Sequence, residues 1–123
     1  MTNDKTVLAV LNDLMFTAKI HDAAKRAEIN VIFATGEKDA LEKAKLRPAQ
    51  IILDLNTTAL DAMQLVRTLK KDEATRRIHL VGFVSHVQTA LRQEAQNEGC
   101  DEVIARSAFS QNLPAILKRG AGE

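Results

Sequence analysis

The sequence predicts an α/β fold in which helices cover both faces of a five-stranded parallel sheet. Five short apolar runs are each followed by a segment whose apolar residues recur at helical spacing. This alternation is typical of strand–helix units that build a parallel sheet. The runs show little polar alternation, which is expected of strands that are buried on both faces. Right-handed crossovers between successive strands then place the helices on the two faces.

The predicted strands are rich in aliphatic residues and lie at residues 6–11, 29–34, within 50–56, 78–84 and 101–105. For five such units we predict the flavodoxin-like strand order 2-1-3-4-5. The third run is an apolar segment that ends in the carboxylate of Asp54. Because ligands of open α/β sheets bind outside the carboxyl ends of the strands, Asp54 is the first candidate for a functional residue.

Helical periodicity predicts five helices. Asn12 and Asp13 offer capping side chains for the first helix, and the polar loop at residues 56–58 offers them for the third. Pro48 ends the second helix, and Gly99 ends the fourth. The charged run at residues 70–77 is predicted to be a solvated loop. The apolar positions that define the helices are Phe16, Ile20, Ala23 and Ala27; Ala40, Leu41 and Ala44; Ala62, Leu65, Val66 and Leu69; Val87, Leu91 and Ala95; and Phe109, Leu113, Ile116 and Leu117.

The composition is that of one globular domain, and we expect it to span residues 1–123. Apolar residues make up 46% of the chain and charged residues 27%, which is ordinary for such a domain. The 17 basic and 16 acidic residues are mixed along the sequence and leave a net charge of +1. This argues against nucleic acid as a partner, since nucleic-acid binding normally needs a basic patch. With four Phe and no Trp or Tyr, aromatic base stacking is also not expected.

Several features predict a cytoplasmic protein. The single cysteine, Cys100, cannot form an internal disulfide and is predicted to be a small buried residue. No apolar run reaches membrane-spanning length, so no membrane association is expected. The first residues also lack the apolar core of a signal peptide.

Polar residues follow four of the predicted strands and should meet at one edge of the sheet. They lie at residues 11–13, 54–56, 85–86 and 106–107. A Ser-His-Asp hydrolase site is not predicted there, because adjacent strand residues such as Ser85 and His86 point to opposite faces. The sequence also lacks the Gly-x-Ser-x-Gly turn of such enzymes. No pair of histidines has the spacing of a zinc site.

The arrangement of these segments resembles the receiver domain of bacterial response regulators, the family that includes the single-domain chemotaxis regulator. The resemblance extends from about residue 6 to residue 118. It is most specific in the run at residues 51–56 and in the run at residues 99–104, which is followed two positions later by Arg106. In that family an acidic pair after the first strand and an Asp after the third hold Mg²⁺, and that Asp accepts a phosphoryl group.

The resemblance implies a role for individual residues of this chain. Asp54 matches the phosphoacceptor, and Ser85 matches the hydroxyl residue that contacts the phosphoryl oxygens. Arg106 stands where the family has a Lys with the same contact. Asn56 matches the residue whose carbonyl helps to bind the metal.

The departures from the family pattern concern the metal site above all. An ungapped match places Leu11 and Asn12 at the acidic pair, and a shift by one residue gives Asn12 and Asp13. Mg²⁺ prefers anionic oxygen ligands, and neither match supplies two carboxylates. Arg106 is not equivalent to Lys in a phosphoryl site. At other positions, this chain has Ser107 where the family usually has a Pro, and Thr58 and Ala62 where the family usually has a Pro and a Gly. Val103 occupies a position where the family often has an aromatic residue.

We therefore predict a weak or absent Mg²⁺ site, with Asp13, Asp54, Asn56 and Asn12 as its candidate ligands, and no other cofactor. The leading hypothesis is a pseudo-receiver, a non-enzymatic signalling module that acts through protein contacts and not through phosphorylation of Asp54. The first alternative is a phosphorylatable receiver with Asp54 as phosphoacceptor, and the second is a small flavodoxin-like ligand-binding domain. The resemblance implies a histidine kinase or an output protein as partner, bound through the face of helix four, strand five and helix five. It also implies a monomer or weak homodimer.

Two arrangements of Asp54 remain open at this stage. In the first, Arg106 pairs directly with Asp54, because a carboxylate without a compensating metal needs a cation or several donors. In the second, Arg106 points to solvent and Asp54 accepts backbone N–H bonds from its own loop.

Overall fold

The fold is a three-layer α/β sandwich, seen in a computed structural model that describes residues 3–85 and 89–120. The strands within these residues are β1 (Asn3–Val10), β2 (Asn30–Ala34), β3 (Pro48–Asp54), β4 (His79–Val84) and β5 (Glu102–Ala105). They form one sheet in the order β2-β1-β3-β4-β5, and each of its strand pairs is parallel. The predicted fold class and strand order are confirmed.

The helices within the same residues are α1 (Leu14–Arg26), α2 (Glu37–Ala44), α3 (Ala62–Lys71), α4 (Thr89–Glu98), α5 (Arg106–Gln111) and α6 (Leu113–Gly120). The predicted single last helix is therefore wrong: it is two helices that meet at Asn112. The physical reason is Pro114, in the first turn of the second of these helices, which lacks an N–H for the carbonyl of Ser110. None of these helices is long and apolar enough to cross a membrane.

The sheet separates two apolar clusters, because consecutive strand residues point to opposite faces. Ile51 belongs to the cluster beneath α2, α3 and α4, whereas Ile52 belongs to the cluster beneath α1, α5 and α6. Helices therefore cover both faces of the sheet, as predicted. Cys100 is buried as predicted, and burial raises the pKa of its thiol to about 11.

The helix ends agree with prediction only in part. Asp13 caps α1 by accepting a hydrogen bond from the Phe16 N–H at 3.0 Å. The cap of α3 is Asp61, which accepts from the Gln64 N–H at 3.1 Å, and not the predicted residues 56–58. Gly99 follows α4 with a φ of +123°, as expected of a residue that ends a helix. The predicted helical position Val87 and the neighbouring His86 lie outside the described residues.

Candidate functional site

The carboxyl edge of the sheet brings together five polar residues. Asp54 is the last residue of β3, and Ser85 directly follows β4. Asp13 precedes α1, and Arg106 is the first residue of α5, immediately after β5. Asn56 lies in the loop after β3, where its side-chain oxygen accepts a hydrogen bond from the Ser85 N–H at 2.8 Å.

Asp54 is a buried carboxylate that is held by its own turn. Its side chain is only 5% exposed, and Oδ1 accepts a hydrogen bond from the Asn56 N–H at 2.9 Å. Its backbone carbonyl accepts from the Thr57 N–H at 3.2 Å. Burial raises the pKa of Asp54 above its ordinary value, and the Asn56 hydrogen bond and the charge of Arg106 oppose that rise. The edge of the sheet therefore holds a carboxylate whose charge is poorly solvated.

Arg106 pairs with Asp13 and not with Asp54. Its Nη2 donates to Asp13 Oδ2, while the centre of its guanidinium lies 4.6 Å from the ring centroid of Phe16. The same cation is 5.7 Å from the ring centroid of Phe83, so it rests on two aromatic side chains. The second predicted arrangement is right for Asp54, which bonds to its own loop, and wrong for Arg106, which pairs with Asp13 instead of pointing to solvent. The direct Arg106–Asp54 pair is wrong.

Asp13 uses both of its carboxylate oxygens within the fold. Oδ1 caps α1, and Oδ2 accepts from Arg106. The Phe16 N–H, followed by the hydrogen bond and charge of Arg106, holds the pKa of Asp13 below its ordinary value. The carboxylate is therefore an anion that α1 and α5 share between them.

These residues do not fit a Mg²⁺ site. Leu11 is buried in the cluster beneath α1, α5 and α6 and offers no ligand, while Asn12 is exposed. Asp13 is engaged by Arg106, whose fixed positive charge repels a metal ion. The described residues contain no group of three His, Cys, Asp or Glu side chains that could hold a metal. Among the described residues, Asp54 is the remaining carboxylate at this edge and forms no ion pair. One such carboxylate is too few anionic ligands for Mg²⁺.

A surface pocket of about 430 Å³ lies beside Arg106 and is lined by Phe16, Lys19, Ser85, Arg106, Ser107 and Ser110. Lys19 Nζ donates to Ser110 Oγ at 2.9 Å and links α1 to α5. Sequence analysis missed Lys19 and Ser110 as members of this edge. They are 91 residues apart, and each is an ordinary polar residue on a helix, so no local pattern marks them.

Comparison with solved structures decides the fold family. A response regulator from Hahella chejuensis is 20% identical, with 94% of each chain covered and a TM-score of 0.84. The chemotaxis response regulator CheY4 of Vibrio cholerae is 20% identical, with 94% of this chain and 97% of that chain covered and a TM-score of 0.81. The chain has the fold of a receiver domain.

A third similar receiver domain belongs to the sensor histidine kinase PA1611 of Pseudomonas aeruginosa. It is 18% identical, with 97% of this chain and 98% of that chain covered and a TM-score of 0.82, and it holds a magnesium ion in its active-site cleft. The scan against protein-family models and the search of curated proteins find no match. The receiver fold is thus shared at low sequence identity.

The burial of Asp54 in this receiver fold predicts that Asp54→Asn stabilises the protein at neutral pH, by on the order of 1 kcal/mol. Asparagine keeps an oxygen for the Asn56 N–H and removes the buried charge. Because the pKa of Asp54 is higher in the folded than in the unfolded protein, protonation of Asp54 stabilises the fold. This stabilisation is complete below the unfolded-state pKa and is lost as the pH rises through the folded-state pKa. The advantage of the variant over the wild type should therefore shrink as the pH falls toward 3.8.

Urea unfolding at several pH values checks this prediction. Asp22→Asn, which removes an exposed carboxylate paired with Arg26 on α1, is the control and should change stability by less than about 0.5 kcal/mol. A lower stability of Asp54→Asn at neutral pH would contradict the prediction.

Proposed function

We propose that the protein is a two-component-type signalling module, an atypical bacterial receiver that acts in the cytoplasm through protein–protein contacts. In this proposal it is not an enzyme, and its activity does not depend on phosphorylation of Asp54. The observation that carries the proposal is the pairing of Arg106 with Asp13 at the carboxyl edge of the sheet. The guanidinium engages a carboxylate that a metal ion would need.

The chemistry of phosphoryl transfer supports this proposal. The charge that develops on the phosphoryl oxygens is usually neutralised by a metal ion, so a poor metal site impairs both transfer and retention of the group. Arg106 remains charged throughout the physiological pH range. It also rests against Phe16 and Phe83, so its release from Asp13 would break several contacts.

The Arg106–Asp13 pair also opposes a conformational switch. It joins the start of α1 to the start of α5, and the Lys19–Ser110 hydrogen bond joins the same two helices further along. Any rearrangement of the loop after β5 has to break these links. We infer that the protein presents a constant surface, so that its presence or amount carries the signal.

A partner surface at the carboxyl edge is favoured by exposed apolar side chains. Leu14 and Met15, at the start of α1, are each 86% exposed. Among the described residues, Leu46 is the one other exposed large apolar side chain, at 54%. Exposed apolar residues beside charged ones are typical of contact surfaces. We therefore propose this edge as a contact surface in addition to the face of α4, β5 and α5 implied by the resemblance, on a monomer or weak homodimer.

The site also supports the alternative function, a receiver that is phosphorylated on Asp54. Asp54, Asn56 and Ser85 stand at the edge as that function requires. The two proposals differ in whether Mg²⁺ binds at Asp54 and in whether a phosphoryl analogue then perturbs the loops.

NMR titration with Mg²⁺, followed by a phosphoryl analogue such as beryllium fluoride, tests the proposal. The wild type should show no saturable response of Asp54 and its neighbours at millimolar Mg²⁺. A dissociation constant in the millimolar range or tighter that is lost in Asp54→Asn would instead support the phosphorylatable receiver.

A variant that is expected to gain Mg²⁺ affinity tests the same proposal from the opposite direction. Asn12→Asp combined with Arg106→Lys adds a carboxylate and replaces the guanidinium that engages Asp13. We expect this double variant to bind Mg²⁺ at least about tenfold more tightly than the wild type. Asn12→Asp alone is the control and should gain much less, because Arg106 still engages Asp13. Equal gains in the two variants would show that Arg106 is not the obstacle.

A further inference from the structure

A second cationic site lies at the opposite, amino edge of the sheet. A groove of about 510 Å³ is lined there by Arg47, Arg76 and Arg77, by the apolar residues Pro48 and Ile78, and by Glu73, together with two alanines. We call it the basal arginine groove. Because Pro48 and Asp54 are the first and last residues of β3, the groove is about 20 Å from the phosphoacceptor position.

The backbone that carries Arg47 is rigidly held. Its φ is +57°, a left-handed conformation that favours glycine, and its N–H donates to the Ala44 carbonyl at 3.1 Å. The ring of Pro48 then restricts the chain on the other side. An exposed arginine thus occupies a position at which glycine would be conformationally less costly.

Arg76 and Arg77 are presented by an ordered turn. The buried Thr75 donates through Oγ1 to the Leu69 carbonyl at 2.7 Å, and Arg76 N–H donates to the Asp72 carbonyl at 2.8 Å. Lys70 Nζ donates to the carbonyls of Arg76 and Ile78 at 3.1 and 3.2 Å. The predicted solvated loop is therefore exposed in its arginine side chains but fixed in its backbone.

Within the described residues, no carboxylate forms an ion pair with an arginine of the groove. Within the described part of the chain, the side chains of Arg47, Arg76 and Arg77 make no hydrogen bond and no ion pair. In contrast, four other arginines pair with a carboxylate, namely Arg26, Arg67, Arg106 and Arg119. Of the arginines that do not pair, all but Arg92 line this groove. Glu73 is the one carboxylate among its lining residues.

We propose that the basal arginine groove binds a ligand with a chain of linked phosphate groups. Guanidinium forks recognise phosphate oxygens through paired hydrogen bonds, and three of them on fixed backbone exceed what one phosphate needs. The volume suits a small molecule rather than a single ion, and Pro48 and Ile78 offer an apolar surface beside the cations. Linked phosphates occur in free polyphosphate and in nucleoside polyphosphates, and the test below distinguishes these sources.

The test is an NMR titration of the full chain at about 0.15 M ionic strength with tripolyphosphate and, separately, with ATP. Saturable shifts are expected at residues 47–49 and 73–78. Arg76→Ala combined with Arg77→Ala should weaken binding at least about tenfold. Equal affinity for the two probes would show that the phosphate chain alone is recognised. Tighter binding of ATP would show that the apolar part of the groove contacts the nucleoside.

Matched variants distinguish specific binding in the groove from general electrostatic attraction of the phosphate probes. Arg92→Ala removes an exposed, unpaired arginine from α4 and should change affinity less than about twofold, because its charge is screened from the groove. Glu73→Gln should strengthen binding, whereas Glu94→Gln on α4 should not.

Three results would overturn the proposal. The first is the absence of saturable shifts at millimolar probe. The second is a set of shifts centred on the pocket at Lys19 and Ser110 rather than on the groove. The third is an Arg92→Ala effect as large as that of Arg76→Ala combined with Arg77→Ala. These outcomes are distinct from the test of the proposed function, which measures Mg²⁺ binding at Asp54 and the response to a phosphoryl analogue.

Discussion

Leu11→Asp is expected to destabilise the fold by roughly 3 kcal/mol or more at neutral pH. Leu11 is 2% exposed and packs in the apolar cluster with Phe16 and Phe109. Its N–H continues the sheet by donating to the Ala34 carbonyl at 3.1 Å. An aspartate there loses apolar contacts and buries a carboxylate within an apolar cluster. The ungapped match to the receiver pattern instead expects this change, with Asn12→Asp, to improve Mg²⁺ binding.

Chemical unfolding and Mg²⁺ titration of the same variants distinguish the two expectations. Leu11→Asn keeps the polarity without the charge, and Asn12→Asp places the charge at an exposed neighbour, which should cost less than about 0.5 kcal/mol. The buried carboxyl of Leu11→Asp should have a raised pKa, so the variant should recover stability relative to Leu11→Asn as the pH falls. A stable Leu11→Asp protein with improved Mg²⁺ affinity would show that position 11 belongs to the metal site.

Gln50→Met is expected to stabilise the protein by about 1–3 kcal/mol. Gln50 lies in β3 with 0% exposure, and neither its amide nitrogen nor its amide oxygen has a hydrogen-bond partner within the described part of the chain. The backbone of Gly120 at the end of α6 covers it so closely that a Cβ at Gly120 would clash with the amide. Methionine has nearly the same length and removes the unsatisfied polar atoms.

Thermal and urea unfolding measure this effect, and the melting temperature should rise by several degrees. Gln96→Met on α4 is the matched control, because Gln96 is exposed and its replacement should change stability by less than about 0.5 kcal/mol. If Gln50→Met lowers stability, the amide has a partner in solution, such as a buried water molecule.

At the carboxyl edge of the sheet, local sequence patterns predict where Asp54 lies but not which residues pair there. An apolar run that ends in a carboxylate was enough to predict that Asp54 lies at the carboxyl edge of the sheet, because strand direction follows from the strand–helix alternation. The partner of Arg106 was not predictable in this way. Asp13 is 93 residues away, and its selection over Asp54 depends on the positions of Phe16 and Phe83 beneath the guanidinium.

The fold class, the strand order and the placement of Asp13, Asp54, Asn56, Ser85 and Arg106 at the sheet edge follow from the sequence by itself. They depend on periodicity and on connection rules, which act over neighbouring elements. Tertiary structure alone decided which of those residues pair and that, within the described part of the chain, the Gln50 amide has no hydrogen-bond partner. It also decided that Arg47 joins Arg76 and Arg77 in one groove. These outcomes depend on distances between segments that are remote in the chain, which periodicity does not encode.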